Sequence, residues 1–244
     1  MWPFGLLVIW SFILNDQWTE GPINQATKIQ GGFVPKKSDI PKATVTRLSK
    51  YLRFLEYENE RGRETISSRE VGERLQYTDT QVRKDLTYFG QFGSPGVGYH
   101  VEELIGEIRK ILGTDRKWQV AVVGIGNLGR ALAANKSFLQ KGFEVVALYD
   151  NAPDVIGMEV AGMTVQNVDA FSDYIRENEI SLAVIAVPAT EAQKVVDLMV
   201  KAEIKGFLNF APIHPVAPDD VFFVTVDLAV LFEQLTFRIG HGSR

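Results

Sequence analysis

A glycine-rich segment in the middle of the chain has the spacing of a dinucleotide-binding turn. The apolar residues 120–123 lead directly into Gly124, Gly126 and Gly129, in the pattern G-x-G-x-x-G. The first glycine of this pattern allows a tight turn, the second lets the backbone approach a pyrophosphate, and the third lets the next helix pack closely on the strand. Backbone amides at the start of that helix would bind the diphosphate.

An acidic residue follows at the distance expected for a ribose contact. The apolar residues 145–149 end in Asp150, about 20 residues after the last glycine. Its carboxylate would accept hydrogen bonds from ribose hydroxyls. Asn151 and Ala152 come next instead of an arginine, which favours NAD(H) over NADP(H), because Asp150 would repel the additional phosphate. The alternative is a chance glycine-rich turn in an α/β domain.

The composition limits the classes of protein that are compatible with the chain. Its 244 residues, 45% of them hydrophobic, can form a full core and favour two domains over one. The absence of cysteine excludes disulfides, thiolate metal sites and cysteine nucleophiles. It also permits a reducing compartment, and we expect a cytoplasmic protein. The net charge of −4 argues against nucleic acid, but residues 41–90 carry +2 and residues 117–244 carry −5, which suits two different partners.

The first 39 residues differ from the remainder of the chain. Residues 2–14 are apolar, but a stretch of about 13 residues is too short to span a bilayer. They also lack the basic start and the cleavage site of a signal peptide. We expect residues 1–39 to be a disordered leader or a start-site extension, with Val34 as an alternative start, and we expect no membrane partner. An interfacial anchor is the other interpretation.

Helical patterns begin near Ile40. Apolar residues at helical spacing predict a helix over residues 42–59. They are Val45, Leu48, Leu52 and Leu55. Two capping boxes follow, Ser67 with Glu70 and Thr78 with Gln81. Because these helix starts are eleven residues apart, they have the spacing of a helix-turn-helix.

The second of these helices, predicted over residues 79–89, has two different faces. Val82, Leu86 and Phe89 share one face. The opposite face carries side chains that could contact base edges and phosphates, namely Thr80, Lys84 and Thr87, flanked by Gln81, Arg83 and Tyr88. A merely solvated helix face is the alternative. The glycine-rich residues 90–99, around Pro95, resemble the wing of a winged helix and favour DNA binding.

Seven short motifs follow one another along the chain, at residues 40–48, 82–90, 96–99, 124–129, 187–193, 206–212 and 226–229. Together they resemble the Rex family of redox-sensing transcriptional repressors, from about Ile40 to the C-terminus. The resemblance implies an α/β fold in three parts. These are a winged helix-turn-helix domain over residues 40–115, a Rossmann doubly wound parallel-sheet domain that binds NAD(H) over residues 116–226, and a swapped C-terminal dimerisation helix over residues 227–244.

The resemblance also implies a function. A homodimer would bind an inverted-repeat operator in double-stranded DNA when NADH/NAD⁺ is low and would be released when NADH rises. The implied DNA-facing residues are Arg47, Lys50, Gln81, Arg83, Lys84, Tyr88 and the wing residues 96–99, including Gly96 and Tyr99. The implied cofactor residues are Gly124, Gly126, Asn127, Leu128 and Asp150, with Val187, Pro188, Asn209, Phe210 and Pro212 lining the nicotinamide side. Asp227 would lie near a dimer contact, facing Arg53.

Two positions differ from the pattern of the family. Members often have a basic residue in the wing where this chain has Pro95, so we expect a weaker or different contact with the minor groove. Many members have a tyrosine at the position of Asn135. That tyrosine is linked to the arginine and aspartate that correspond to Arg53 and Asp227, so this relay is incomplete here.

The remaining pattern fits a doubly wound sheet. Apolar runs at residues 163–165, 182–187, 207–210 and 222–226 alternate with helical segments at residues 168–178 and 192–203. A ligand of such a sheet lies at the carboxyl ends of the strands. Residues 228–239 predict an apolar helix that needs a partner surface. It could pack on its own domain, but the resemblance favours a swapped dimer.

The alternative function is an NAD-dependent oxidoreductase with an accessory helical domain. Such an enzyme needs a proton donor near the nicotinamide. The three histidines are His100, His214 and His241, and only His214 follows a strand end. Its proline-rich loop favours a turn residue over a catalyst, and no Tyr-x-x-x-Lys pair occurs. A coenzyme A domain of a ligase would need a histidine nucleophile and a partner domain. We therefore predict no catalytic residue, no metal ligand and no enzyme.

Overall fold

The computed structural model describes residues 40–90, 92–94 and 96–241. The predicted leader, residues 1–39, and Pro95 lie outside these residues. The chain divides into two compact units between Arg116 and Lys117. The sequence predicts this boundary one residue earlier, between residues 115 and 116.

The N-terminal unit consists of helices around a two-stranded antiparallel sheet in which Thr65 lies opposite His100. In chain order the elements are α1 (Lys42–Glu60), β1 (Thr65–Ile66), α2 (Ser68–Leu75), α3 (Asp79–Thr87), β2 (Tyr99–His100) and α4 (Val101–Leu112). Helix α3 is the predicted recognition helix, and it ends two residues before Phe89. Apolar residues of α1, α3 and α4 form one core, which includes Leu48, Leu55, Val82, Leu86, Val101 and Ile108.

Side-chain caps begin both helices of the helix-turn-helix. Ser67 Oγ accepts a hydrogen bond from the amide of Glu70, and the Glu70 carboxylate accepts one from the amide of Ser67, which completes the predicted box. Thr78 Oγ1 accepts from the amide of Gln81 at 3.1 Å. The second box is only half formed, because the Gln81 side chain turns to Asp85 instead. Each helix therefore starts at the residue that the sequence predicts.

The C-terminal unit contains a seven-stranded sheet. Its strands are β3 (Trp118–Val123), β4 (Phe143–Asp150), β5 (Glu159–Val160), β6 (Met163–Asn167), β7 (Leu182–Ile185), β8 (Gly206–Asn209) and β9 (Phe222–Thr225). Their order in the sheet is β5-β6-β4-β3-β7-β8-β9. Neighbouring strands are parallel except for the β5–β6 hairpin. The strand order reverses between β3 and β7, which makes the sheet doubly wound and confirms the predicted fold class.

Helices cover both faces of this sheet. They are α5 (Asn127–Ala133), α6 (Ser137–Gln140), α7 (Phe171–Glu177) after a 3₁₀ turn (Val168–Ala170) and α8 (Ala189–Lys201), and a last helix, α9 (Leu228–His241), follows β9. Successive residues of β3 alternate between two cores: Ala121 and Val123 belong to one, Val120 and Val122 to the other. Burial on both faces explains why the central strands are continuous apolar runs.

The C-terminal helix α9 is the exception to this covering. No side chain of α9 is buried in the described chain. Its large apolar residues remain exposed, namely Leu228, Phe232, Leu235, Phe237 and Ile239. The alternative that this helix packs on its own domain is therefore wrong. An apolar helix surface of this kind needs a partner.

Candidate functional site

The three glycines of the fingerprint occupy three different environments. Gly124 has φ +95°, and a Cβ at this residue would lie 2.5 Å from the carbonyl oxygen of Ala186, on the loop after β7. A Cβ at Gly129 would collide with the carbonyl oxygen of Gly124. A Cβ at Gly126, in contrast, would have nothing within 4 Å. Gly124 and Gly129 thus allow close packing, whereas Gly126 leaves bare backbone open to a ligand.

This loop lies where the strand order of the sheet reverses. It follows β3, and the amide of Ala186, just after β7, donates to the carbonyl of Val123 at 2.8 Å. Asn127 and Leu128 are exposed in the first turn of α5. Ligands of doubly wound sheets bind outside the carboxyl ends of the strands at this point. The predicted diphosphate residues are therefore together at the topological switch point.

Asp150 holds the glycine-rich loop in addition to its predicted ribose contact. Its Oδ2 accepts a hydrogen bond from the amide of Ile125 at 2.6 Å, and its Oδ1 accepts from the amides of Asn151 and Ala152 at 2.8 and 2.9 Å. Each carboxylate oxygen can accept two hydrogen bonds, so Oδ2 retains capacity for a ribose hydroxyl. The sequence pattern indicates only the ribose role, because the bond to Ile125 depends on how β3 and β4 pair.

The predicted nicotinamide residues end or follow β7 and β8, but the side chain of one of them is turned into the protein. Val187 and Phe210 are half-buried, and Pro188 and Pro212 are exposed. Asn209 is fully buried. Its Nδ2 donates to the Ala211 and Ile213 carbonyls and to Thr225 Oγ1, and its Oδ1 accepts from the amide of Ala211. The expectation that Asn209 lines the nicotinamide side is contradicted, because its amide is used to shape the loop after β8.

The outward face of α3 carries exposed polar and basic side chains. Thr80, Arg83, Lys84 and Thr87 are exposed, while Val82 and Leu86 are buried. Arg83 forms an ion pair with Asp79 at 2.8 Å. Lys84 makes no ion pair within the described residues. This face can therefore offer hydroxyls and at least one uncompensated cation to a nucleic acid.

The opposite side of α3 carries a buried charge that is not among the residues predicted from the sequence. Asp85 is fully buried, and it accepts hydrogen bonds from side chains on both α1 and α3. The donors are Thr44 Oγ1 (3.2 Å), Arg47 Nε (2.6 Å), Arg47 Nη2 (2.7 Å), Tyr51 Oη (2.8 Å) and Gln81 Nε2 (2.9 Å). A charged residue on the apolar face of a predicted helix was the signal for this network.

The Asp85 network gives Arg47 a structural role in addition to its predicted one. Its guanidinium binds Asp85 while 18% of the side chain stays exposed, and its contact with DNA stays a prediction. Burial by itself raises the pKa of Asp85, but the hydrogen bonds from Arg47 and Tyr51 outweigh it, and the pKa lies below its ordinary value. The hydrogen bond to Asp85 likewise raises the pKa of Arg47. Both groups are therefore charged, and they link α1 to α3.

Two further predicted DNA residues are half-buried. Lys50 Nζ donates to Tyr77 Oη at 3.2 Å and lies 5.9 Å from the centre of that ring. Tyr88 forms an edge-to-face pair with Phe89. Each of these side chains keeps part of its surface exposed. Their predicted contacts with DNA stay predictions.

The predicted wing is present, but Tyr99 does not point outward from it. Ser94 bridges to Gly98, and Gly96 is exposed at the tip with φ +82°. Tyr99 is only 9% exposed and belongs to the core of the N-terminal unit. A DNA contact by the Tyr99 side chain is therefore contradicted. Gly93 provides the space for its ring, because a Cβ there would lie 2.8 Å from Tyr99 Cδ1.

The predicted switch residues have local partners. Arg53 forms an ion pair with Glu56 at 2.8 Å. Asp227 Oδ1 accepts from the amide of Ala229 at 2.8 Å, at the start of α9. Asn135, where many family members have tyrosine, accepts from Ser137 through its Oδ1. Arg53 and Asp227 belong to different units, and their predicted pairing stays a prediction.

Three further features bear on a catalytic residue, a metal site and a membrane-spanning helix. His214 is exposed, and its ring centre lies 5.7 Å from that of Phe223. The described residues contain no group of three or more acidic or histidine side chains arranged to hold a metal ion. Every helix in the described ranges is too short or too polar to cross a bilayer.

Two family models match the chain, one in each unit. Residues 39–87 match "Putative DNA-binding protein N-terminus", and residues 115–213 match "CoA binding domain". Two curated relatives bear the name redox-sensing transcriptional repressor Rex. The protein from Carboxydothermus hydrogenoformans is 46% identical, over 82% of this chain and 96% of its own length. The protein from Desulforamulus reducens is 45% identical, over 84% of this chain and 98% of its own length.

Solved structures are similar over the same region. The structure of RSP in complex with β-NAD⁺ and operator DNA has a TM-score of 0.80 and 36% sequence identity, and it covers 84% of this chain and 94% of the RSP chain. The structure of RSP in complex with β-NADH has a TM-score of 0.77 and 35% identity, over 84% of this chain and 96% of the other. RSP is itself described as a Rex-family repressor.

Proposed function

The chain belongs to the Rex family of redox-sensing transcriptional repressors, and on this premise we propose that it binds operator DNA and releases it when NADH rises. One observation carries the proposal. The same chain contains a helix-turn-helix with an exposed polar face and a glycine-rich loop whose backbone is accessible at Gly126. Curated relatives with the repressor name span both units. RSP has been solved with NAD⁺, with NADH and with operator DNA.

We assign the nucleotide contacts to the C-terminal unit. Residues 126–129 of this loop hold the diphosphate with backbone amides, since Gly126 leaves the backbone open and the amides of Gly124 and Ile125 are donated to Tyr149 and Asp150. Asp150 accepts from a ribose hydroxyl with its remaining lone pair. Val187, Pro188, Phe210 and Pro212 lie beside the nicotinamide. The CoA-type family model is compatible with this assignment, because coenzyme A and NAD share an adenosine diphosphate that such a loop can bind.

We assign the DNA contacts to the exposed face of α3 and to the tip of the wing. Thr80, Gln81 and Thr87 face the major groove, and Arg83 and Lys84 contact the phosphate backbone beside it. Arg47 contributes by fixing α3 through Asp85. Gly96, exposed at the tip of the wing, lies at the minor groove.

The exposed apolar surface of α9 supports a homodimer, since a second copy would bury it. Two copies related by a two-fold axis present two α3 helices to half-sites about 34 Å apart, which requires an inverted repeat. NADH must bind the released arrangement more tightly than the operator-bound one, because a ligand with equal affinity for both would shift nothing. Arg53 and Asp227 belong to different units, and we expect their contacts to differ between the operator-bound and the released arrangement.

We propose no catalytic activity and a cytoplasmic location, where operator DNA and the NADH pool are both present. The oxidoreductase alternative would require a proton donor, and the exposed His214 packs against Phe223. The curated relatives are named repressors.

Fluorescence anisotropy tests the proposed function. The full chain is first used to select duplexes from a random DNA library, and a selected duplex is then titrated with protein at fixed NAD⁺ and increasing NADH. We expect affinity for the duplex to fall as NADH rises, and NAD⁺ to reduce the effect by competition. If NADH binds the protein but leaves DNA affinity unchanged, the protein is not an NADH sensor.

A further inference from the structure

The side chain of Gln81 is held in one orientation by the Asp85 network. Gln81 is the third residue of α3, and its backbone amide is capped by Thr78 Oγ1. Its side-chain Nε2 donates to Asp85 Oδ1 at 2.9 Å. The residue is half-buried, while Asp85 is fully buried. The amide therefore has an inner end, on Asp85, and an outer end.

The chemistry of Asp85 determines that the Nε2 end of the Gln81 amide, and not the Oε1 end, points inward. An ionised carboxylate can only accept hydrogen bonds. The guanidinium of Arg47 and the hydroxyl of Tyr51 keep Asp85 ionised, consistent with its lowered pKa. The Gln81 carbonyl oxygen cannot take the inner position, because it would meet a carboxylate oxygen with no proton between them. Oε1 is thus left on the outer side, and no donor of the described chain reaches it.

We propose that Gln81 selects bases by accepting a hydrogen bond through Oε1 from an exocyclic amino group in the major groove. Only adenine N6 and cytosine N4 offer such a donor there, whereas guanine and thymine present acceptors. The position of Gln81 supports this role, since residues near the start of a recognition helix contact base edges. The inference rests on the proposed function and adds the atom and the class of base that one side chain recognises.

Asp85 is a positioning residue in this scheme. It fixes the amide of Gln81 and, through Arg47 and Tyr51, ties that amide to α1. A glutamine that could rotate freely would accept from one base and donate to another. A fixed amide discriminates between donors and acceptors, because the wrong base leaves Oε1 facing a second acceptor.

Base analogues in a selected duplex test the proposal. At each half-site position, 2-aminopurine replaces adenine and 2-pyrimidinone replaces cytosine, which removes the amino donor. In parallel, 7-deazapurines remove the N7 acceptor. The full chain and Gln81→Ala are compared by anisotropy. We expect removal of the amino group at one position to weaken the unsubstituted protein roughly fivefold and to leave Gln81→Ala almost unaffected. Removal of N7 should lower the affinity of both proteins for the duplex by the same factor.

Lys84→Ala is the matched control, because Lys84 is exposed on the same helix and has no bond to Asp85. It should weaken binding without changing the effect of any amino-group removal. The melting curve of Gln81→Ala verifies that the N-terminal unit is folded. Additive effects of Gln81→Ala and amino-group removal at every position would overturn the proposal, as would coupling to N7 instead. If no duplex is selected at all, the proposed function itself fails.

Discussion

Asp85 in the N-terminal unit and Asp150 in the C-terminal unit both hold a binding surface in place, but through different partners. Asp85 is fully buried, and its hydrogen-bond donors within the described residues are all side chains, on Thr44, Arg47, Tyr51 and Gln81. Asp150 is half-buried, and its donors in the same part of the chain are all backbone amides of the loops that follow β3 and β4. The proposed DNA-binding surface thus depends on a set of side chains, and the proposed nucleotide-binding surface depends on backbone geometry.

This difference predicts where each unit is sensitive to substitution. In the N-terminal unit, removal of one charge leaves another without its partner in a poorly solvated site. In the C-terminal unit, any residue other than proline can supply the backbone amides that Asp150 binds. The critical positions there are the glycines that permit the close approach of loop and helix.

Asp85→Ala should have the largest effect. Removal of the buried carboxylate leaves Arg47 without its ion pair and should lower the free energy of unfolding of the N-terminal unit by about 3 kcal/mol. Hydrogen exchange of peptides from α1 and α3 in the full chain measures this locally. The loss of unfolding free energy in the double variant Arg47→Met, Asp85→Ala should be smaller than the sum of the losses in the two single variants, because no unpaired charge remains. Additive losses would show that the two residues do not act as a pair.

Gly129→Ala and Gly126→Ala should separate packing from ligand contact. The Cβ of Gly129→Ala collides with the backbone of Gly124, so we expect a loss of about 2 kcal/mol in stability. Gly126→Ala has open space and an ordinary φ of −73°, so its stability should be unchanged. It should nevertheless bind NADH at least tenfold more weakly, because the methyl group would stand where the diphosphate approaches. NADH fluorescence and melting curves measure both quantities. Unchanged NADH affinity in Gly126→Ala would remove this loop from the diphosphate site.

Asp150→Ala should weaken NADH binding roughly tenfold, through loss of a charged acceptor and of the bond to Ile125. Asp154→Ala, an exposed carboxylate four residues further on, changes the net charge equally and should leave NADH affinity unchanged. NADH titration of both variants makes the comparison. Equally weakened NADH binding in both variants would show that charge near the site matters and that the Asp150 contacts do not. Unchanged NADH affinity in Asp150→Ala would remove Asp150 from the ribose site.

The features predicted correctly from the sequence are those that depend on neighbouring residues. Glycine spacing predicts the turn after β3, and the cap residues Ser67 and Thr78 predict the starts of α2 and α3. These signals are local, since a helix needs its cap within one turn. The alternation of apolar runs and helical segments likewise predicts the doubly wound sheet.

The orientations of individual polar side chains could not be predicted, because distant residues set them. Arg47 meets Asp85 across 38 residues, and only the packing of α1 on α3 brings them together. Tyr99 is buried because β2 pairs with β1, and Asn209 is turned inward by the loop after β8. A motif assigns such residues to a surface, but it does not determine which way their side chains point.

The smallest predicted effect concerns Lys84, which tests whether the exposed face of α3 contacts phosphates at all. Counterions released from DNA make the logarithm of affinity fall linearly with the logarithm of salt concentration, and each phosphate contact contributes about one unit of slope. Lys84→Ala should therefore reduce the slope by about one, whereas Lys136→Ala, an exposed lysine of the other unit, should leave it unchanged. Anisotropy at several salt concentrations measures the slope. A structural defect would lower affinity equally at all salt concentrations, so an unchanged slope would place Lys84 away from phosphate and leave Arg83 as the basic residue of this face.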